Sequence, residues 1–269
     1  MVAEAAILGA IQALTEFLPV SSSGHLLLAP AFFGWRDPFL SGLTLSVALH
    51  LGTGVALLLA LWRQWRWLLR GLGGRSADAP VARRVLGGIA ASTALVAAIG
   101  LPLRDGFEAT RSLGVVAVML IVFGVLLALA DRFAPARWTF ESTRFAPWLV
   151  IGISQLVALI PGVSRSGITI TIGRALGVER EAAARYSLLL LTPVVLGVGV
   201  LQLGSAAASG ELDGQVAALA VGAVVAAGLG VLVVRGLLWF VARRGLWPFA
   251  LYRIVLGSVT LALLAAGII

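Results

Sequence analysis

The chain has 269 residues, of which 60% are hydrophobic and 12% are charged. Its mean hydropathy of +1.03 lies far above that of soluble domains, which excludes a soluble enzyme and indicates a polytopic membrane protein. The net charge of +8 comes from arginines that mostly flank apolar runs, as topology signals and headgroup contacts do, so no nucleic-acid partner is expected. Without cysteine, disulfides and thiolate metal sites are excluded.

The first 31 residues combine apolar character with a polar cluster. Residues 1–18 are helical in pattern but too short and polar to span a membrane comfortably, and Pro19 ends the helix. The serines that follow can cap a second short helix reaching about Ala31. Because there is no basic segment before the apolar run, we expect mature structure here and not a signal peptide. The pattern predicts a re-entrant helical hairpin, since irregular backbone at membrane depth must be buried in protein or line a cavity.

The rest of the chain alternates long apolar runs with arginine-rich connections. Each long run approaches the roughly 20 residues that cross the hydrocarbon core, and a second pair of short helices interrupts them at Pro161–Gly162. The predicted fold is an all-α polytopic membrane protein with six transmembrane helices and two re-entrant hairpins. The predicted spans are 40–62, 85–103, 112–131, 186–204, 214–235 and 248–268, and the second hairpin is 147–160 with 164–176.

Arginine placement predicts the orientation of the spans. The connections 63–84, 132–144 and 235–244 are rich in arginine and are expected on the cytoplasmic side. The 205–213 connection has two acids and no arginine, which suits the outside, whereas the 104–111 connection has two of each. Three spans then separate the hairpins, so the first enters from outside and the second from the cytoplasm.

The two hairpins also match each other in sequence without a gap. We therefore predict one integral membrane domain over 1–269, built from two inverted repeats of about 1–132 and 145–269, with the functional site where the repeats meet. The matched pairs are Gly9 with Gly152, Gln12 with Gln155, Val20 with Val163, Ser21 with Ser164, Ser23 with Ser166 and Gly24 with Gly167.

The first hairpin carries candidate acid, base and nucleophile groups. Gln12 and Glu16 are four residues apart and share a helix face, and a buried Glu16 needs a cation, a metal or a proton. Ser22 and His25 are three apart, a spacing that permits a hydroxyl nucleophile beside a base, although a capping serine near a packed histidine is commoner. Ser21 and Ser23 are expected to cap the helix, whose free N–H groups can bind an anion.

The second hairpin supplies a cation. Arg165 aligns with Ser22 and lies between Ser164 and Ser166 in uncharged surroundings, where a guanidinium suits phosphate binding and developing phosphoryl charge. Thr169 is expected to add a hydroxyl to the same pocket. His50 is interpreted as a packed or pore-facing side chain, and Arg253 as one that snorkels or pairs.

These motifs resemble those of the bacterial undecaprenyl-pyrophosphate phosphatases, the bacitracin-resistance proteins. QALTEFLPVSSSGH at 12–25 and PGVSRSG at 161–167 are similar to the family's two signatures, and the resemblance extends over essentially the whole chain. Supporting blocks are VALHLGT at 47–53, ARYSLLLLTP at 184–193 and PFALYRIVLG at 248–257.

The resemblance implies hydrolysis of a C55 polyprenyl diphosphate with a divalent cation, Mg²⁺ or Ca²⁺, in the bacterial inner membrane. It implies catalytic roles for Glu16, Ser22, His25 and Arg165, with Glu16 also a metal ligand. Gln12 occupies a position where the family has Glu or Gln, and the glutamine removes one possible metal-binding or acid/base carboxylate. The phosphate-pocket positions are Gln12, Ser21, Ser23, Ser164, Ser166 and Thr169. Expected partners are the lipid diphosphate and membrane lipids, with a homodimer kept as an option and the site facing the cell exterior.

Three alternatives remain at this point. The nucleophile is Ser22, His25 or a water molecule. A transporter or lipid flippase is the main rival function, because inverted repeats with broken helices are common in transporters. A structural scaffold is the third, and it has no need of buried polar hairpins.

Overall fold

The computed structural model describes residues 1–74, 77–108, 110–209, 212 and 214–269. In these residues the fold is helical, and the only extended pairing is one isolated bridge between Trp138 and Val178. The α-helices of this described part are α1 (Val2–Phe17), α2 (Ser22–Phe33), α3 (Leu43–Ala60), α4 (Trp62–Leu72), α5 (Ala79–Glu108), α6 (Leu113–Phe133), α7 (Phe145–Ile153), α8 (Arg165–Ala175), α9 (Arg180–Ala208), α10 (Val216–Val241) and α11 (Trp247–Ala265).

The prediction of six transmembrane helices is confirmed. Six helices of the described chain are long and apolar enough to cross a membrane, namely α3, the 79–100 part of α5, α6, α9, α10 and α11. The two connections expected outside the membrane are shorter than predicted, because α5 continues to Glu108 and α9 to Ala208. Residues 109, 210, 211 and 213 of those connections lie outside the described residues.

The 63–84 connection contains a helix that the sequence reasoning missed. The arginines of this connection had been interpreted as topology signals. The structure shows that α4 is an amphipathic helix, which packs on α5 through the buried residues Leu68 and Gly71. Gly71 is needed here, because a Cβ at this position would lie 2.3 Å from the Cβ of Ala82. Arg75, one of the arginines of this connection, lies outside the described residues.

The two short-helix pairs are present and close to their predicted bounds. Helices α1 and α2 flank the first turn, and α7 and α8 flank the second. The first arm of the second pair differs from the prediction, since the α-helix ends at Ile153 and continues as a 3-10 helix over Ser154–Leu159. Re-entry of these pairs into the membrane stays a prediction.

Matched helices of the two halves pack in matched ways. Helix α1 packs on α10 of the second half, and α7 packs on α5 of the first half. A Cβ at Gly9 would lie 2.4 Å from the carbonyl oxygen of Gly222, and a Cβ at Gly152 would lie 2.1 Å from Oγ of Ser92. Each of the two aligned glycines therefore allows a close approach to a helix of the other half, and the inverted repeat itself stays a prediction.

Candidate functional site

The first serine turn is a helix cap with unusual backbone. Ser21 has φ 76°, a left-handed conformation that costs a non-glycine residue roughly 1–2 kcal/mol. Its Oγ accepts a hydrogen bond from the Gly24 amide at 3.4 Å, and its carbonyl accepts one from the His25 amide at 3.1 Å. The capping role predicted for Ser21 is confirmed, and the N-terminus of α2 is fixed by it.

The second serine turn repeats this geometry. Ser164 has φ 74°, its Oγ accepts from the Gly167 amide at 3.0 Å, and its carbonyl accepts from the Ile168 amide at 2.9 Å. Left-handed conformations at non-glycine residues persist only where the surrounding structure holds them, and they concentrate at functional sites. Among the described residues only Ser21 and Ser164 show it outside glycine.

A buried serine joins the two turns. The Oγ of Ser166 lies 3.0 Å from the carbonyl oxygen of Leu18 and 3.3 Å from that of Glu16, so it donates to the end of α1. It also lies 3.2 Å from Oγ of Ser164. Ser166 therefore connects the second turn to the first and forms a contact between the two halves of the chain.

Arg253 of α11 forms hydrogen bonds to the backbone of both turns. Its side chain is fully buried, and its guanidinium donates to the carbonyl oxygen of Pro19 at 3.2 Å, of Gly162 at 3.2 Å and of Val163 at 2.8 Å. Backbone carbonyls left free by broken helices need such donors at membrane depth. The expectation that Arg253 snorkels is wrong, because its side chain is fully buried, and its partners among the described residues are main-chain oxygens.

Glu16 is the point where polar groups converge. Its Oε2 accepts from Nε2 of Gln12 at 3.1 Å and from the hydroxyl of Ser22. Nε2 of His50 lies 3.4 Å from the same oxygen. Arg165 is within electrostatic range of the carboxylate. A buried carboxylate is tolerated here because hydrogen-bond donors and the Arg165 cation surround it.

The group that accepts the hydrogen bond of the Ser22 hydroxyl is Glu16, whereas the spacing had suggested His25. Nδ1 of His25 lies 2.8 Å from the carbonyl oxygen of Ser21 and must donate, since a carbonyl only accepts. Nε2 then faces the hydroxyl of Tyr252 at 2.7 Å, and the two rings stack with centroids 5.6 Å apart. The imidazole lies at the site but is held by α11.

Three further positions were predicted to belong to the site, and the structure places them differently. Arg165 begins α8 half-buried, and its guanidinium makes no hydrogen bond to any described residue. Ser23 is exposed beside Ser21, with the two Oγ atoms 3.4 Å apart, and does not cap the helix. Thr169 is buried, and its Oγ1 bonds the Arg165 carbonyl and, at 2.7 Å, Oγ of Ser187 on α9. The structure therefore shows Thr169 as packing between helices, and not at the pocket.

Sequence reasoning missed three residues of the site: His50, Tyr252 and Arg253. The signal was present, because a histidine or an arginine inside an apolar span is costly and marks a functional position by default. For His50, the Nδ1 donates to the Ser46 carbonyl at 2.7 Å, which aims Nε2 at Glu16. Tyr252 carried no such signal, since tyrosine near a span end is ordinary.

The donor set around Glu16 suits a hard cation. No group of three or more His, Asp or Glu side chains gathers anywhere in the described residues. The amide oxygen of Gln12, however, is buried without a hydrogen-bond partner, next to the carboxylate. Mg²⁺ is commonly held by one or two protein oxygens together with substrate phosphates, so a thin protein ligand set of this kind fits.

The chain is similar to known proteins over nearly its whole length. The family model described as "Bacitracin resistance protein BacA" matches residues 5–259. A protein named undecaprenyl-diphosphatase from Geobacter sulfurreducens is 41% identical over 273 residues, which cover 97% of this chain and 98% of the relative. Proteins of the same name from Rubrobacter xylanophilus and Nocardioides sp. are 44% and 38% identical, each over at least 97% of both chains.

Proposed function

The chain belongs to the BacA family of bacitracin resistance proteins, and we propose that it hydrolyses undecaprenyl diphosphate to the monophosphate and inorganic phosphate. Such a reaction returns a lipid carrier for cell-wall synthesis and would confer bacitracin resistance. The observation that carries the proposal is the hydrogen bond from the Ser22 hydroxyl to Glu16, beside an arginine from the other half. A nucleophile, a base and a cation then share one site, as phosphoryl transfer requires.

In the proposed reaction Ser22 attacks the terminal phosphorus. Its Oγ forms a bond to phosphorus as the bridging oxygen–phosphorus bond breaks and the lipid monophosphate leaves. Glu16, already accepting the hydroxyl hydrogen, takes the proton. Water then hydrolyses the phosphoserine and releases inorganic phosphate, and Glu16 returns the proton to Ser22.

Arg165 and the two helix N-termini stabilise the charge on the transferring group. The guanidinium is half-buried and free of hydrogen bonds to the described residues, so it can take up phosphoryl oxygens. The N-termini of α2 and α8 add unpaired amide donors and a favourable dipole. Because Arg165 comes from the second half, the first half lacks this stabilisation by itself.

His25 is assigned to proton handling and phosphate contact. Its Nε2 accepts from Tyr252, so attack by the imidazole would first require that hydrogen bond to break. Attack by His25 would give a phosphohistidine and attack by Ser22 a phosphoserine. Direct attack by water would give neither, so the chemistry of a trapped intermediate separates all three.

A divalent cation, Mg²⁺ or Ca²⁺, is part of the proposal. Glu16 and the unpartnered amide oxygen of Gln12 would hold it together with diphosphate oxygens. When bound, the ion supplies charge neutralisation at the phosphoryl oxygens. The chain's own residues then orient the diphosphate and move the serine proton.

The proposed site lies in a bacterial inner membrane and faces the cell exterior. The prenyl tail stays in lipid while the diphosphate reaches the serine turns. The orientation rests on the arginine-rich connections, which follow α3, α6 and α10. Since the chain has no cysteine, single cysteines at Ser23 and Arg137 can be labelled from each side of intact cells. Labelling of Ser23→Cys only from the cytoplasm would contradict this orientation.

The test of the activity uses purified protein in detergent with a polyprenyl diphosphate and Mg²⁺. We expect phosphate release by the wild type and its loss in Ser22→Ala, His25→Ala and Arg165→Ala. Ser154→Ala is the matched control, because this serine bonds only the Ile151 carbonyl among the described residues. Tight binding of the diphosphate without release would favour a carrier instead.

A further inference from the structure

Helix α4 has three distinct faces. Its packed face is Leu68 and Gly71, which are buried against α5. A second face is apolar and outward, with Trp62, Leu69 and Leu72 each more than half exposed. These three residues lie at i, i+7 and i+10, which places them on one side of the helix, so they form an exposed apolar stripe.

The third face is cationic and borders the apolar one. Arg63, Arg66 and Arg70 follow an i, i+3, i+7 spacing and are all exposed. At 3.6 residues per turn this row lies directly beside the stripe of Trp62 and Leu69. None of the three arginines forms an ion pair with a described residue.

A groove runs along the cationic face. It has a volume of about 390 Å³ and is lined by Arg63, Arg66, Trp67, Arg70 and Asp78. The carboxylate of Asp78 accepts from Nε1 of Trp67 at 3.0 Å, which ties the segment before α5 over the helix. Three cations and one acid give the groove an excess of two positive charges.

We propose that this groove binds the headgroup of an anionic phospholipid. A helix with an apolar stripe beside arginines is suited to lie at the boundary of hydrocarbon and water. The phosphate would meet the arginines, which can bind it through two N–H groups at once, while the acyl chains lie along Trp62, Leu69 and Leu72. The charge excess selects an anionic headgroup over a zwitterionic one.

The position of α4 gives the site its place in the molecule. The helix begins directly after α3, with a break in helical backbone at Leu61 (φ −102°, ψ 15°). Leu61 and Leu68 are both fully buried in the main apolar core. A lipid held on α4 would therefore lie at the C-terminal end of α3, the span that carries His50.

The test measures lipid retention. Purified wild type in nanodiscs with equal phosphatidylglycerol and phosphatidylcholine is released in native mass spectrometry, and the lipids that stay bound are identified. We expect phosphatidylglycerol on the wild type and a loss of about a hundredfold in the triple variant Arg63→Gln, Arg66→Gln, Arg70→Gln, because each arginine near an anionic surface contributes about 1 kcal/mol. The single variant Arg66→Gln, which leaves more of the helix unchanged, should lose about fivefold.

The matched control removes the same charge elsewhere. Arg132, Arg243 and Arg244 are exposed arginines near the ends of α6 and α10, and their triple glutamine variant should keep phosphatidylglycerol within twofold. Equal loss in both triple variants would overturn the site, since only total charge would matter. Displacement of the lipid by excess inorganic phosphate would also overturn it, since the groove would then be a free-phosphate site.

Discussion

The turn at Ser21 and the turn at Ser164 share a left-handed serine, the same cap and the same donor, Arg253, yet they bring different side chains to the site. At matched positions the first turn has Ser22 where the second has Arg165. The first also has Glu16 and His25 where the second has apolar residues. The two turns share the backbone that holds the groups and differ in the groups themselves, so the proposed nucleophile and base come from one half and the proposed phosphate-binding cation from the other.

The largest effect should come from removing the residues in which the turns differ. Arg165→Ala should lower kcat for phosphate release by about 10³-fold or more, because an arginine that stabilises the transferring phosphoryl group contributes on this scale. Arg185→Ala is the control, since Arg185 pairs with Glu181 on α9 and should stay within twofold. Steady-state kinetics in detergent decide this, and an Arg165→Ala enzyme within tenfold of wild type would break the comparison.

The next effect concerns the donor that the turns share. Arg253→Met leaves the carbonyl oxygens of Pro19, Gly162 and Val163 without their buried donor, which is costly. We expect kcat to fall about 100-fold and the thermal unfolding midpoint to drop, whereas Arg253→Lys should recover part of both. Normal kcat with a lowered midpoint would show that Arg253 stabilises the fold without positioning the turns.

The matched glutamines offer a gain of function as the third test. Gln12→Glu places a second carboxylate beside Glu16, so the affinity for Mg²⁺ should rise about tenfold as ligand charge increases. Gln155→Glu is the control. Like Gln12, Gln155 is buried and its amide oxygen has no hydrogen-bond partner, but its Nε2 donates to the Gly152 carbonyl and not to a carboxylate. Thermal stabilisation by added Mg²⁺, measured beside activity, reads this directly; equal responses of both variants would argue against a cation at Gln12.

The smallest effect concerns the caps. Ser21→Ala and Ser164→Ala should each cost about 1 kcal/mol of stability, the usual value of a serine N-cap, and the two losses should be equal within error. The glycine variants should cost less, because glycine adopts a positive φ readily. Unfolding in mixed micelles measures both pairs, and a loss confined to one turn would show that the turns are not equivalent frameworks.

The sequence was sufficient for the six spans, because hydropathy over about 20 residues is a strong signal. It also located both serine turns, since Pro19 and Pro161–Gly162 break helices and the aligned serines and glycines mark one repeated conformation. Helix α4 was not predicted, because its arginines were interpreted as topology signals and headgroup contacts and the helical pattern between them was not considered. The 3-10 helix over Ser154–Leu159 was not predicted, because no residue there forbids an α-helix.

The partners of the site residues could not be obtained from spacing. Ser22 and His25 are three residues apart, but Glu16, six residues before Ser22, is the group that accepts its hydrogen bond across the turn. His50, Tyr252 and Arg253 reach the site from distant spans, and Thr169 turns to Ser187. Such contacts depend on how helices from both halves pack, which periodicity within one helix does not encode.

The most direct measurement of the central claim is chemical trapping of the intermediate. Polyprenyl diphosphate labelled at its terminal phosphate is mixed with enzyme, quenched within milliseconds, and the labelled protein is tested in acid and in base before peptide mapping. The account predicts an acid-stable, base-labile label on Ser22, lost in Arg165→Ala as much as in Ser22→Ala. An acid-labile label on His25, or hydrolysis at full rate with no labelled protein, would contradict it.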